Sequence, residues 1–326
     1  MYSKRTAIIV SALLVLAAVS AHCGGRTDSA TGQQSKTIAL SLNALDEYQT
    51  EWFGYFEAEV KARGYQLVML NADGKVDKQI SDVESLIQLK PAIIIIRAVD
   101  SDGAVPAFEA CAEAGIPTID SAFGANYSNT LKLIQSQYNL CALQARYCIE
   151  WLEANPGKKL KAGYIWGVQG NSATMDRYNG WKETLLKAYP DRVEILAEKV
   201  CNWSATETMA AVEDWLQAFP EMNAVVAMSD EMAIAAANVL QAAKKTLDDC
   251  IVVGIDGSPN ARKCLEDSTL SATVYTSKKA EVMFTMDYAE RIIKGENLAG
   301  QTFDPGHKIS ALMTKDNIQE ILALDK

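Results

Sequence analysis

Histidine is nearly absent. His22 and His307 are the two in 326 residues, which excludes a histidine-rich metal site. The seven cysteines show no zinc-type Cys/His spacing, and none has a histidine beside it to make it a nucleophile. Positive charge is in deficit: 31 Lys and Arg face 41 Asp and Glu, a formal net charge of −10, which argues against a protein that coats nucleic acid. No exact internal repeat is visible, and no low-complexity segment follows residue 36. A nucleophile–base pair, a phosphate loop and a metal set are all missing, and βα turns such as "NALDEY" are too poor in glycine for a dinucleotide. Neither an enzyme nor a cofactor is expected.

What is present is apolar residue content of 49%, enough for a substantial core in two domains or one large one. A long apolar run occurs at the N-terminus. Lys4 and Arg5 precede "TAIIVSALLVLAAVSA", which is too short to span a bilayer comfortably and reads as an export signal, residues 1–22. The small-residue approach to Cys23, followed by the polar tether 23–36, resembles a bacterial lipoprotein signal. Cleavage before Cys23 and acylation of its thiol are expected, so membrane contact would be through the lipid anchor only. His22 departs from the usual Gly, Ala or Ser. It leaves open ordinary cleavage after Ala21. Export permits disulfides among the other six cysteines. Cys141 and Cys148 lie two helical turns apart, about 10.5 Å of rise, too far to bridge. The six read mostly as buried free thiols, with room for one bridge.

Beyond the tether, strands and helices alternate. "TIALSL", "YQLVML", "PAIIIIRA" and "IPTIDSA" read as strands, separated by helices over "QTEWFGYFEAEVKARG", "KQISDVESLIQL" and "VPAFEACAEAG". After a composition shift near "GANYSN", 124–129, the pattern restarts. The helix "NLCALQARYCIEWLEANPG" is followed by the strands "LKAGYIWG", "VEILAEKV", "AVVAMS" and "CIVVGID", with helices between. Apolar strands alternating with helices predict an α/β chain of two lobes, each a doubly wound parallel sheet.

The stretch "IVVGIDGSP", 251–259, poses a question of chemistry. An apolar strand delivers a carboxylate, Asp256, at its C-terminal tip. Either Asp256 or Ser258 caps the next helix, or Asp256 belongs to a ligand site, since open α/β sheets bind ligands beyond the carboxyl ends of their strands.

"RAVDSDG", "IPTID" after "AFEACAEAG", "SDEMAIAAANVL", "VVGIDGSP" and "LSATVY" occur in this order. Together they resemble the ribose/galactose-type (type I) periplasmic sugar-binding proteins of ABC transporters, from Thr37 to about Ile321. The resemblance implies two lobes joined by three hinge crossings, near 124–136, 276–278 and 304–308. It implies an N-terminal lobe of 37–123 plus 278–305 and a C-terminal lobe of 126–276 plus 307–326. It further implies that Asp256 accepts hydrogen bonds from ligand hydroxyls and that Trp203 stacks on a sugar ring. Asp46, Tyr48, Ser136, Ser229 and Thr276 fall at the family's other contact positions. Asp230 is expected to cap its helix and Arg177 to anchor its own.

Three positions depart from the family pattern. Ala122 and Phe123 stand where a polar pair is usual, Met175 stands for an arginine, and Arg97 occupies a strand end where Asn is common. Arg97 reads either as a ligand contact or as an ion-pair partner of Asp100 or Asp120. Gln169 and Asn171 are within reach of the cleft. The resemblance implies a monomeric extracytoplasmic protein that captures a sugar-like molecule and delivers it to an ABC transporter permease. Alternatives are a sensor module presenting its ligand to a chemoreceptor or sensor kinase, and a binder of a less hydroxylated ligand such as a nucleoside or deoxy sugar.

Overall fold

The computed structural model describes residues 35–122, 124–168 and 172–325. The export segment, Cys23 with most of its tether, and the candidates Phe123, Gln169 and Asn171 lie outside the described residues. The chain runs β1 (Thr37–Leu42), α1 (Glu47–Ala62), β2 (Gln66–Asn71), α2 (Val76–Gln88), β3 (Ile93–Arg97), α3 (Val105–Glu113), β4 (Thr118–Ala122) and β5 (Leu131–Ile134). It continues through α4 (Gln137–Ala154), β6 (Leu160–Trp166), α5 (Ser172–Ala188), β7 (Val193–Val200), α6 (Ala205–Ala218) and β8 (Ala224–Ala227). Then come α7 (Asp230–Ala242), β9 (Ile251–Asp256), α8 (Pro259–Glu266) and β10 (Ala272–Thr276). It ends with α9 (Lys278–Ile293), β11 (Thr302–Phe303), β12 (Ser310–Met313) and short terminal turns.

Two six-stranded sheets result, ordered β2-β1-β3-β4-β5-β11 and β7-β6-β8-β9-β10-β12. All pairings are parallel except β10 with β12. The local reason is legible in β3. Its four isoleucines are all fully buried, as suits a β-branched strand covered by helices on both faces. One apolar cluster lies on each side of the first sheet, around Trp52 and Phe56 and around Phe108. A larger cluster fills the second lobe.

Serine sets the start of many helices. Ser136, Ser204, Ser229, Ser258 and Ser277 each accept a hydrogen bond from the backbone N–H three residues on, capping α4, α6, α7, α8 and α9. Asp46 does the same for α1 at 2.7 Å.

The chain passes between sheets three times, after β5, between β10 and α9, and between β11 and β12. The crossings are tied together: Ser136 N donates to Asp304 Oδ2 at 3.2 Å, and Ser277 N to the Ile309 carbonyl at 2.8 Å. One expected boundary needs correction. Leu131–Ile134 pairs with β4 in the first sheet, so the first lobe runs to Ile134 and not to 123. The six cysteines among the described residues are free thiols, and all but Cys264 are buried. No described helix is long and apolar enough to cross a membrane.

Candidate ligand-binding cleft

Strand order fixes where a ligand can sit. In the first sheet the winding reverses between β1 and β3, and in the second between β6 and β8. At such switch points the loops leaving neighbouring strands splay apart and open a crevice beyond the carboxyl ends. The two crevices face each other across one cleft of about 360 Å³. It is lined from the first lobe by Asn43, Asp46, Tyr48, Gln49, Arg97 and Glu281, and from the second by Gln137, Arg177, Trp203, Ser229, Glu231 and Asp256. That volume suits a single small ring, near the lower end of the ~300–1,000 Å³ usual for small-molecule sites.

On the second lobe, Asp256 ends β9 with φ of 124°, a region that side chains rarely adopt. Such a backbone costs on the order of 1–3 kcal/mol and persists only where its surroundings hold it. Asp230 supplies the hold. Its buried carboxylate accepts from Ser258 N at 2.7 Å and from Thr273 Oγ1 at 2.6 Å, while its own N–H donates to Asp256 Oδ2 at 3.3 Å. Gly254 makes the room, since a Cβ there would stand 2.4 Å from the Asp230 carboxylate. Burial raises the carboxyls of both Asp230 and Asp256. The Arg177 and Lys278 charges pull Asp256 back. Asp230 is therefore a brace for the Asp256 turn. The cap of α7 is Ser229, not Asp230 as expected.

Trp203 also has a left-handed backbone, φ 60°, in a turn closed by Ser204 N on the Cys201 carbonyl. Its indole lies against Gly167, where a Cβ would approach within 2.2 Å, and the Arg177 guanidinium is 5.5 Å from its ring. Arg177 donates to Gln137 Oε1 at 2.8 Å and to the Met228 carbonyl. It anchors its helix, as expected, and it also lines the cleft, which sequence reasoning missed.

On the first lobe the organising residue is Glu281 of α9. Its Oε1 pairs with Arg97 Nη1 at 2.8 Å, and its Oε2 accepts from Tyr48 Oη at 2.7 Å and from Gln135 Nε2 at 3.4 Å. The Arg97 guanidinium stacks 4.1 Å over Trp52 and also donates to Ser121 Oγ at 3.1 Å, leaving its buried Nε without a partner. Burial and the adjacent Glu281 charge hold the Tyr48 phenol well above its ordinary range, so it remains a neutral donor. Lys278 bonds Glu51 at 3.0 Å and the Asp256 carbonyl at 3.2 Å, linking both lobes behind the site.

Of the two readings of Arg97, the ion pair with Asp100 or Asp120 does not form; its partner is Glu281. Asp100 turns back onto the N–H groups of Asp102 and Gly103, and Asp120 accepts from Ala125 N. Asp46, Tyr48, Arg97, Trp203, Ser229, Asp256 and Thr276 line the cleft. Ser136 is spent on capping α4, and Met175 is about half exposed; neither is among the lining residues. Glu281 was missed because its partners are brought together only by the fold. The available signal was a carboxylate one turn past the 276–278 crossing.

Two lobes wound on one plan, hinged by three crossings and meeting over a polar cleft, define a two-lobed ligand-binding protein. The chain belongs to the periplasmic binding protein family, whose domain model matches residues 38–297. It is 27% identical over 299 residues to the ribose import binding protein of Salmonella typhimurium, covering 91% of this chain and 95% of that protein. It is 26% identical to the xylitol-binding protein of Mycolicibacterium smegmatis, covering 90% and 81%. Among solved structures, an ABC transporter solute binding protein of Bacillus halodurans with bound myo-inositol is 25% identical. It superposes with a TM-score of 0.78 over 90% of this chain and 100% of that one.

Proposed function

We propose that this chain is an extracytoplasmic solute-binding protein that closes on one sugar-like molecule and delivers it to an ABC importer. The observation that carries the reading is the pairing of Trp203 and Asp256 on one wall of the cleft, opposite Arg97, Tyr48 and Asp46 on the other. An aromatic face suits the C–H surface of a sugar ring, and carboxylate and guanidinium groups suit its rim of hydroxyls. Relatives named for ribose and xylitol support this class of ligand. Asp46, Tyr48, Arg97, Trp203, Ser229, Asp256 and Thr276 are the ligand contacts in this reading, and the catalytic set is empty. The N-terminal sequence supports export, with Cys23 as the lipid attachment point.

A thermal-shift screen of the mature protein against sugars, polyols, sugar acids and nucleosides tests it. A true ligand raises the melting temperature progressively with concentration. A response confined to nucleosides would replace the sugar reading.

A further inference from the structure

Lys278 is the only lysine buried among the described residues, with its side chain 2% exposed. It opens α9, directly after the β10–α9 crossing. Burial disfavours an ammonium, and so does a place in the first turn of a helix. Its surroundings must therefore compensate, and they come from both lobes. From α1 of the first lobe, Glu51 Oε2 pairs with Nζ at 3.0 Å, and the Tyr48 ring lies 4.6 Å beneath it. From the second lobe, the Asp256 carbonyl accepts from Nζ at 3.2 Å. Lys278 does not itself line the cleft, whereas Tyr48 and Asp256 both do.

The carbonyl it reaches belongs to the residue with φ of 124°, where the backbone has to be held in place. Within the second lobe, Asp230 holds one side of that turn through Ser258 N and through its own N–H on Asp256 Oδ2. Lys278 holds the other side, from across the hinge. The same ammonium thus backs a contact residue on each wall of the cleft.

We propose that Lys278 is a positioning residue for ligand capture, whose ammonium fixes Tyr48 and the Asp256 turn together across the hinge and keeps the Asp256 carboxylate ready to accept ligand hydroxyls. The inference rests on the reading of Tyr48 and Asp256 as ligand contacts and deepens it. The groups facing the Asp256 carboxyl come from four places. Burial raises it to about 7; Arg177 of α5 and Lys278 of α9 pull it down, the N–H of Asp230 in α7 also lowers it, and Asp46 before α1 raises it. Glu51 and Tyr48 of α1 face the ammonium itself. Loss of the Lys278 charge leaves Arg177 alone to oppose protonation of Asp256, and a protonated carboxyl is the poorer acceptor.

Carboxyl NMR of the ligand-free protein and calorimetry with D-ribose, xylitol and myo-inositol test it, with Asp256→Asn as the reference. Lys278→Met keeps the length of the side chain and removes its charge. Its Asp256 carboxyl should titrate at higher pH than in the parent, and its affinity for whichever of the three binds the parent should fall about tenfold at neutral pH. Glu51→Gln, at a partly exposed position, keeps the ammonium but removes its first-lobe anchor. Affinity should fall several-fold there while Asp256 titrates as in the parent. That variant carries the test if Lys278→Met does not fold. An unmoved Asp256 titration in Lys278→Met would overturn the role of Lys278 and leave the cleft reading standing. So would parent-like affinity in both variants where Asp256→Asn binds weakly. Parent-like affinity in Asp256→Asn would instead overturn the contact on which the inference rests. If none of the three compounds binds, the sugar reading fails and the ligand-free titration alone decides on Lys278.

Discussion

Arg97 and Glu281, 184 residues apart in sequence, meet at 2.8 Å with side chains only 2% and 7% exposed. Removing one partner of a buried pair typically costs about 3–5 kcal/mol, because the other charge is left without compensation. Arg97→Ala and Glu281→Ala should therefore both lower the denaturation midpoint substantially, and the double variant should lose less than the sum of the two. Additive losses in chemical denaturation would mean that the pair does not couple.

Gly167 lies beneath Trp203, so a side chain there should push the indole out of the cleft. Gly167→Val is expected to keep the fold and to weaken ligand binding about as much as Trp203→Ala does. Unchanged affinity in Gly167→Val would mean that the indole position is not critical.

Asp120 is a buried acid whose Oδ1 has no partner, and burial pushes its carboxyl up to about 7. A pKa raised in the folded state means that folding favours the protonated form. Its contribution is fully present below the unfolded value near 3.8 and is lost as pH rises through about 7. Asp120→Asn keeps an acceptor for Ala125 N and removes that titration. The variant should gain stability over the parent above pH 7, by about 2–4 °C for each kcal/mol recovered, and show little gain near pH 4. A difference in melting temperature that is flat with pH would contradict this.

Three short crossings allow the lobes to rotate as rigid bodies, and a ligand touching both favours the closed form. Small-angle scattering should show a more compact particle with saturating ligand than without. An open apo protein that stays open on binding would count against hinge closure.

Much of this architecture was legible because local and global signals agree. The run Ile93–Ile96 can only be a doubly covered strand, and "VVGID" places an acid where parallel sheets bind ligands. Leu131–Ile134 was placed in the second lobe because it follows the composition shift at 124–129; only its pairing with β4 assigns it to the first lobe. Arg97 was legible as a strand-end cation, but its partner was not. Asp100 and Asp120 are near in sequence or strand order, whereas Glu281 arrives from a helix that returns after the whole second lobe. Asp230 was read as a cap from its position before a helix. Its burial behind Gly254, which makes it a brace, is a property of packing alone.

The central claim is that a ligand is held between Trp203 and Asp256 on one lobe and the Arg97 wall on the other. Titration calorimetry of the parent, Trp203→Ala and Asp256→Asn with whichever sugar binds the parent tests it most directly. A hydrogen bond to a charged group contributes about 1.5–3 kcal/mol, so Asp256→Asn should weaken binding roughly tenfold to a hundredfold. Trp203→Ala should cost at least as much. Parent-like affinity in both variants, with melting curves showing intact folding, would contradict the account.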